Sequence, residues 1–341
     1  MNGTNVKFYL IVPVYNAGRY LTKCLTSIVS QTYENFEVVV MDDGSEDDSW
    51  EILESYSSKD SRFKILRNPF NLGPGLTRNN AIEYVINNHG KNKSLTYVVF
   101  IDSDDWIDHD YLEMLTNNII DNKPEIIFID VLQEKENGEF IKKQFSSKYE
   151  NEDKDTIIRH QMTGKLPWGG VRKVVQLNHL ISENIRYTND GIGEEAIYSF
   201  KLLHAAEKIS FCKNSNYHYV VHGGSQSSSF HENPYGPIST QLKNTLQTLN
   251  EYERYSRTHK SFAFTAMIIS IYRYVAYYGL IKANNYARVA ISNYRNEYGF
   301  DIDYDSLENR LKILVPLTKL NLYPVLTVVA YAKNFVSKKI D

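Results

Sequence analysis

Runs rich in apolar residues recur at Phe8–Val12, Phe36–Met41, Phe63–Leu66, Tyr97–Ile101 and Ile126–Val131. Such runs read as strands buried on both faces of a parallel sheet. Between them, apolar residues return at helical spacing. One set is Leu21, Cys24, Leu25 and Ile28, after Gly18. The next are Trp50, Leu53 and Tyr56, then Leu76, Ala81, Tyr84 and Val85. Asn16 and Asp47 stand where helix caps are expected, and Pro74 where a first helical turn accepts proline. The β-α-β-α-β-α-β order predicts an α/β fold, a mostly parallel sheet flanked by helices with right-handed crossovers.

The pattern loosens after Val131. Glu134–Asp155 is polar and charged and predicts a loop or a peripheral hairpin. A helix is expected over Glu194–Ala206, with strand-like runs at Ile209–Cys212 and Tyr217–His222. From about Tyr235 the chain reads as helical. These changes predict a first domain over residues 1–230, with halves of about 1–130 and 131–230. A helical C-terminal region follows over 231–341.

The apolar fraction of 42% in 341 residues permits a substantial core, and the formal charge of −3 argues against a general nucleic-acid binder. The charge is uneven. Residues 241–341 hold 14 Lys/Arg against 8 Asp/Glu, whereas residues 1–240 hold 24 against 33. A basic tail on an acidic body predicts contact with an anionic membrane surface, or else a solvated helical face. Leu322–Lys339 mixes Val325, Leu326, Val329 and Phe335 with Lys333, Lys338 and Lys339. It reads as an amphipathic helix on lipid, or as a terminal helix packed on its own domain or on a second copy of the chain. Cys24 and Cys212 form neither a disulfide framework nor a metal-spaced set. A cytoplasmic setting is expected, peripheral on the inner face of the plasma membrane if the tail binds lipid. Met1–Lys7 is polar and predicts no signal peptide. No uncharged apolar stretch reaches the roughly 18 residues of a membrane span.

Three acidic clusters carry the candidate chemistry: Asp42-Asp43-Gly44-Ser45, Asp102-Ser103-Asp104-Asp105 and Glu194-Glu195. The first two follow strands, at the carboxyl edge where open α/β sheets bind ligands. Asp102 and Asp104 are two apart, so on extended chain they face one side. They suit Mg²⁺ or Mn²⁺, which prefer oxygen ligands; the alternative is an acidic loop capping the helix near Asp108. The Asp42-Asp43 cluster suits a base N–H or a ribose hydroxyl, or else simply caps a strand-to-helix turn. Arg78 lies just after the glycine loop at Asn71–Gly75, within reach of phosphate. Gly73-Pro74-Gly75 lacks the third glycine of a dinucleotide fingerprint and follows the third strand, which disfavours a dehydrogenase. Glu194-Glu195 opens a helix, either as a dipole complement or as a general base. His222 reads as a late metal ligand, a contact for a leaving diphosphate, or a structural histidine.

In order, these pieces resemble the family 2 glycosyltransferases with the GT-A, Rossmann-like fold. The resemblance rests on Leu10-Ile11-Val12-Pro13-Val14-Tyr15-Asn16, Ser30-Gln31-Thr32-Tyr33, Val40–Ser45, Asn71-Leu72-Gly73, Arg78-Asn79 and Phe100–Asp105, and covers about residues 7–230. It implies an inverting transfer from a nucleotide-diphosphate-sugar, usually a UDP-sugar, to a glycan or lipid-linked oligosaccharide in surface-polysaccharide synthesis. By position, Pro13, Tyr15 and Asp43 would hold the base and Arg78 would approach the donor phosphates or sugar. Asp102, with Ser103 beside it, would lie near the ribose. Asp104 would bind the metal, Trp168 would lie near the acceptor, and Glu195 would be the catalytic base. The sequence departs from the family at two places. Glu195 stands where Asp is commoner, which leaves Glu194 as a second candidate. Gly170 stands where a lysine often follows the tryptophan.

Two rivals fit less well. A sugar nucleotidyltransferase would show an early glycine-rich loop with Arg and Lys, and only Gly18 and Arg19 follow Val14. A non-catalytic nucleotide-sugar or glycan-binding subunit would be expected to lose the metal or base carboxylates.

Overall fold

The computed structural model describes residues 6–89, 95–189, 194–222 and 236–338; the side chains of 214–215 and 333–338 also lie outside the description. The chain groups into two units. One comprises residues 1–154 and 169–223, the other 155–168 and 224–341.

The first unit alternates as the sequence predicts: β1 (Val6–Val14), α1 (Gly18–Val29), β2 (Phe36–Asp42), α2 (Ser49–Ser57), β3 (Phe63–Arg67), α3 (Pro74–Asn88) and β4 (Leu95–Phe100). β1 lies between β2 and β4, parallel to both, and β2 pairs parallel with β3. Every residue from Leu10 to Val12 and from Val38 to Val40 is fully buried, as continuous apolar strands require. The short β5 (Trp106–Ile107), α4 (Tyr111–Asn122) and β6 (Ile126–Lys135) follow. The polar stretch after Val131 forms a peripheral hairpin, with β7 (Phe140–Gln144) antiparallel to β6.

Asp47 works differently from expectation. Its Oδ2 accepts the Gly18 N–H at 2.9 Å, at the start of α1, while Oδ1 accepts the Ser49 N–H at 3.1 Å. Asn16 caps no helix. It adopts φ 47° and accepts the Glu46 N–H at 2.8 Å, so the 14–18 and 45–49 loops are tied together.

The parallel order is interrupted by a strand the sequence did not predict, β8 (Lys173–Gln176), numbered after α5 (Lys154–Met162). It runs antiparallel between β4 and β6. After α6 (Leu177–Ser182) and α7 (Glu194–Ala205), the two expected late strands are one, β9 (Ile209–Val221). It pairs parallel with β6 across an irregularity at Ile129/Val131. Among the described residues the sheet order is β3-β2-β1-β4-β8-β6-β9-β5, with β7 on β6.

The unit boundaries differ from the expected 230/231 division. Residues 155–168, expected in the first domain, group with the helical unit, to which several of their side chains are bonded. Arg159 donates to Asp155 at 2.6 Å and to Thr258 at 2.9 Å, and Thr163 donates to the Ser306 carbonyl at 2.6 Å. The helical unit also holds α8 (Gly236–Thr248), α9 (Tyr252–Glu297), α10 (Asn309–Lys312), α11 (Leu314–Lys319) and α12 (Tyr323–Lys338).

α9 is long and apolar enough to cross a membrane by length and composition. It is nevertheless two arms. Gly279, at φ 75° and ψ 178°, occupies backbone space essentially reserved for glycine. Phe264 meets Tyr294 edge-on, and Tyr274 stacks on Tyr286 at 4.1 Å, so the arms fold back antiparallel. Leu326 and Ala330 of α12 complete that core.

Candidate functional site

The Asp102–Asp105 cluster leaves the end of β4 and meets β9. Asp105 is buried, its Oδ2 accepting from the Tyr217 hydroxyl at 2.7 Å and its Oδ1 from the Val220 N–H at 2.8 Å. Burial, with Asp104 and Asp102 adding to it, pushes the Asp105 carboxyl well above its usual range. Asp105 therefore locks the strand end. Tyr217 also accepts the Asp102 N–H at 3.0 Å, which fixes the neighbouring backbone.

Asp102 and Asp104 remain for a ligand. Carboxylate oxygens of Asp102, Asp104 and Asp105 lie within 4.8 Å of one another. His222 Nε2 sits 2.7 Å from Asp104 Oδ2, and its Nδ1 is buried without a hydrogen-bond partner. Two carboxylates with an imidazole beside them fit a Mg²⁺ or Mn²⁺ ion that keeps sites for phosphate oxygen. Of the expected metal residues, Asp104 stands beside both Asp102 and His222, while the oxygens that converge are those of Asp102, Asp104 and Asp105. Burial, joined by Asp104 and Glu195 and opposed by Arg78, raises the Asp102 pKa. A bound cation would relieve that crowding.

Arg78 links this cluster to the base candidates. Thr77, Arg78 and Ala81 form the buried face of α3, and the Arg78 guanidinium donates to Asp102 Oδ1 at 2.8 Å. Its Nη1 lies 4.0 Å from Glu195 Oε1. Burial works against its charge, but Asp102, Tyr187 and Glu195 outweigh that and raise its pKa further. Glu195 opens α7 with its side chain 29% exposed, and its Oε1 accepts the Gly170 N–H at 2.9 Å. A Cβ at Gly170 would stand 2.5 Å from the Tyr187 hydroxyl. Tyr187 therefore occupies the space a lysine would need at that position.

Glu194 differs from its neighbour. It is 6% exposed, and burial together with the Glu195 charge raises its pKa to about 7. Against an ordinary value of 4.5, the folded chain keeps this proton longer than the unfolded chain does. The associated stability is full below pH 4.5 and is lost as pH rises through about 7, a loss of about 3 kcal/mol. Glu194→Gln is expected to flatten this fall, read as urea midpoints from pH 4 to 8. A slope identical to that of the native chain would contradict it.

The expected base-binding residues lie at the carboxyl ends of β1 and β2. Pro13 pairs with Met41, and Tyr15 is 48% exposed. Asp43 is buried and already engaged. Its Oδ1 accepts from Asn68 at 2.7 Å and from the Leu72 N–H at 2.9 Å, and its Oδ2 accepts the Gly73 N–H at 2.9 Å. It organises the 68–73 loop, with acceptor capacity left for one more donor. Ser103 is half-buried beside Asp102. Trp168 falls in the helical unit, its ring 5.7 Å from Phe262 and its Nε1 donating to the Gln161 carbonyl at 2.5 Å. Gly223-Gly224-Ser225 of the His222 motif lies outside the described residues.

Sequence reasoning missed Tyr187 as a partner. Asn79 exchanges two hydrogen bonds with the Tyr187 backbone, both 2.9 Å, across 108 positions. Tyr187 also stacks on Tyr198 at 3.9 Å under Arg78. The Arg78-Asn79 pair was visible, but nothing local indicates a contact so distant along the chain.

Residues 9–172 match the model of glycosyl transferase family 2. The chain is 31% identical over 217 residues to the putative glycosyltransferase EpsH of Bacillus subtilis, covering 62% of this chain and 60% of EpsH. It is 32% identical over 232 residues to the glycosyltransferase GlyA of Streptococcus pneumoniae, covering 65% of this chain and 31% of GlyA. The match to the poly(ribitol-phosphate) beta-glucosyltransferase of Bacillus spizizenii is 29% identical and covers 63% of this chain and 32% of that protein. The chain thus spans less than two thirds of each of these relatives. Residues 1–349 of S. aureus TarS, in complex with UDP-GlcNAc, superpose with a TM-score of 0.66 at 20% identity, covering 98% of this chain and 91% of that one. At that identity the likeness establishes the fold, which is GT-A.

Proposed function

We propose, from the premise that this chain carries a family 2 glycosyltransferase domain over residues 9–172, that it transfers a sugar with inversion from a nucleotide-diphosphate donor. A UDP-sugar is the foremost donor, and the acceptor is a hydroxyl of a glycan or lipid-linked oligosaccharide in surface-polysaccharide synthesis. One observation carries the reading. A single buried arginine, Arg78, spans the metal-type carboxylates and the base candidate, at 2.8 Å from Asp102 and 4.0 Å from Glu195. A donor laid along that line would have its diphosphate at one end and its anomeric carbon near the other. The relatives, one of which is a beta-glucosyltransferase, and the UDP-GlcNAc complex of TarS support this choice of donor.

In this reading Glu195 takes the proton of the acceptor hydroxyl as its oxygen attacks the anomeric carbon. The bond to the diphosphate breaks, and the nucleoside diphosphate leaves with that electron pair. Mn²⁺ or Mg²⁺ held by Asp102, Asp104 and His222 would supply positive charge against the leaving group. Pro13, Tyr15 and Asp43 hold the base, Asp102 with Ser103 beside it lies near the ribose, and Trp168, by its place in the sequence, is the acceptor-side aromatic. The Gly170 N–H orients Glu195, and the pairing of the Asn79 side-chain amide with the Tyr187 backbone fixes the wall beside Arg78. Glu194, buried, supports the helix start. The reaction is assigned to the cytoplasm. Exposed Val325, Val328 and Val329 on α12 and Ile281 beyond Gly279 suit a lipid surface or a second copy of the chain.

The test is nucleotide release from a panel of UDP-, GDP- and dTDP-sugars with and without Mn²⁺. Release from one nucleotide class, raised by Mn²⁺, is expected. No release and no binding across the panel would refute the reading.

A further inference from the structure

Arg172 closes the short helical turn Gly170–Arg172 just before β8, and it is 6% exposed. Arg78 has Asp102; among the described residues Arg172 has no such partner. Among the described residues it enters no ion pair, and its Nη1 is buried without a hydrogen-bond partner. The neighbouring Lys173, also buried, donates to the Gly169 carbonyl at 3.0 Å. Burial lowers the Arg172 pKa, and the groups that oppose this most are Tyr219, Glu195, Asp105 and Tyr217. Arg172 stands in the same turn as Gly170, whose N–H binds the base candidate Glu195 at 2.9 Å. Tyr217 and Asp105 are bonded to each other, so neither offers Arg172 a free counter-ion.

A buried guanidinium without a counter-ion is costly to fold. Its planar fork suits phosphate or carboxylate oxygens held in two bonds. We infer that Arg172 binds an oxyanion of the donor, either its diphosphate or a carboxylate on the transferred sugar. The inference rests on the proposed donor class and adds to it a second arginine, carried by the turn whose Gly170 N–H binds Glu195.

The test compares the native chain with Arg172→Gln and Arg172→Lys, titrated with UDP, UDP-glucose and UDP-glucuronic acid in Mn²⁺, alongside ligand-free melting. Arg172→Gln is expected to melt no lower than the native chain, because no partner among the described residues is lost. It is expected to lose about tenfold or more in affinity, the usual scale for a charged hydrogen bond, with partial recovery in Arg172→Lys. A loss shared by all three ligands identifies the diphosphate. A loss confined to UDP-glucuronic acid identifies a sugar carboxylate. Native affinity for all three ligands in Arg172→Gln overturns the inference alone. A native chain that binds none of them overturns the donor reading and this inference together.

Discussion

Glu195→Gln is expected to lower turnover by about 10²–10⁴-fold, the span a positioned general base supplies, while UDP affinity stays near the native value. The substitution is nearly isosteric. An amide oxygen can still accept the Gly170 N–H, so the loop before β8 and the start of α7 keep their tie. What disappears is the ability to take a proton, along with the charge 4.0 Å from Arg78. Arg78 retains Asp102 at 2.8 Å, so its position does not depend on Glu195. The same change at Glu194 gives the control. That side chain is buried and holds its proton to about pH 7, so Glu194→Gln should alter the stability profile far more than turnover. Steady-state rates and UDP titrations on both variants decide the matter. A Glu195→Gln chain with native turnover removes Glu195 from the role, and a collapse of turnover only in Glu194→Gln transfers the role to its neighbour.

The parts of this site that were legible in the sequence are those fixed by short-range pattern. A buried parallel strand must be apolar along its length, so the residues that end it abruptly, Asp42-Asp43 and Asp102 to Asp105, mark the sheet edge. The two-apart spacing already set Asp102 and Asp104 apart from the third aspartate after β4, but it gave Asp105 no role. The hydrogen bonds from Tyr217 and Val220 supply it, since they make Asp105 structural. β8 was illegible for a different reason. Four residues headed by a lysine carry no strand signature, yet Lys173 is buried between strands that supply the missing context. The fold-back at Gly279 was equally hidden, since a lone glycine among Tyr277, Tyr278, Leu280 and Ile281 reads as helix interior. Gly170 showed only as a missing lysine; the Tyr187 hydroxyl above it explains the small residue.

Asp104→Asn should produce opposite effects on donor binding with and without metal. With Mn²⁺, UDP affinity should fall at least about ten- to hundredfold, since even partners outside the ligand shell cost that much at metal sites. With EDTA, UDP affinity should stay level or rise. Asp102 and Asp104 present negative charge within 4.8 Å of each other, and an uncompensated diphosphate is repelled by both. Removing one charge weakens that repulsion while also removing a ligand for the ion. Asparagine still offers an oxygen to His222, so the 2.7 Å contact that holds the end of β9 against the cluster can survive. A fall in affinity under both conditions would point to a damaged fold and not to a lost ligand. Titration of UDP into native and variant chains, each with Mn²⁺ and with EDTA, separates these outcomes. Equal Mn²⁺ dependence in the two chains would mean that Asp104 holds no ion, and the acidic edge would then need another explanation.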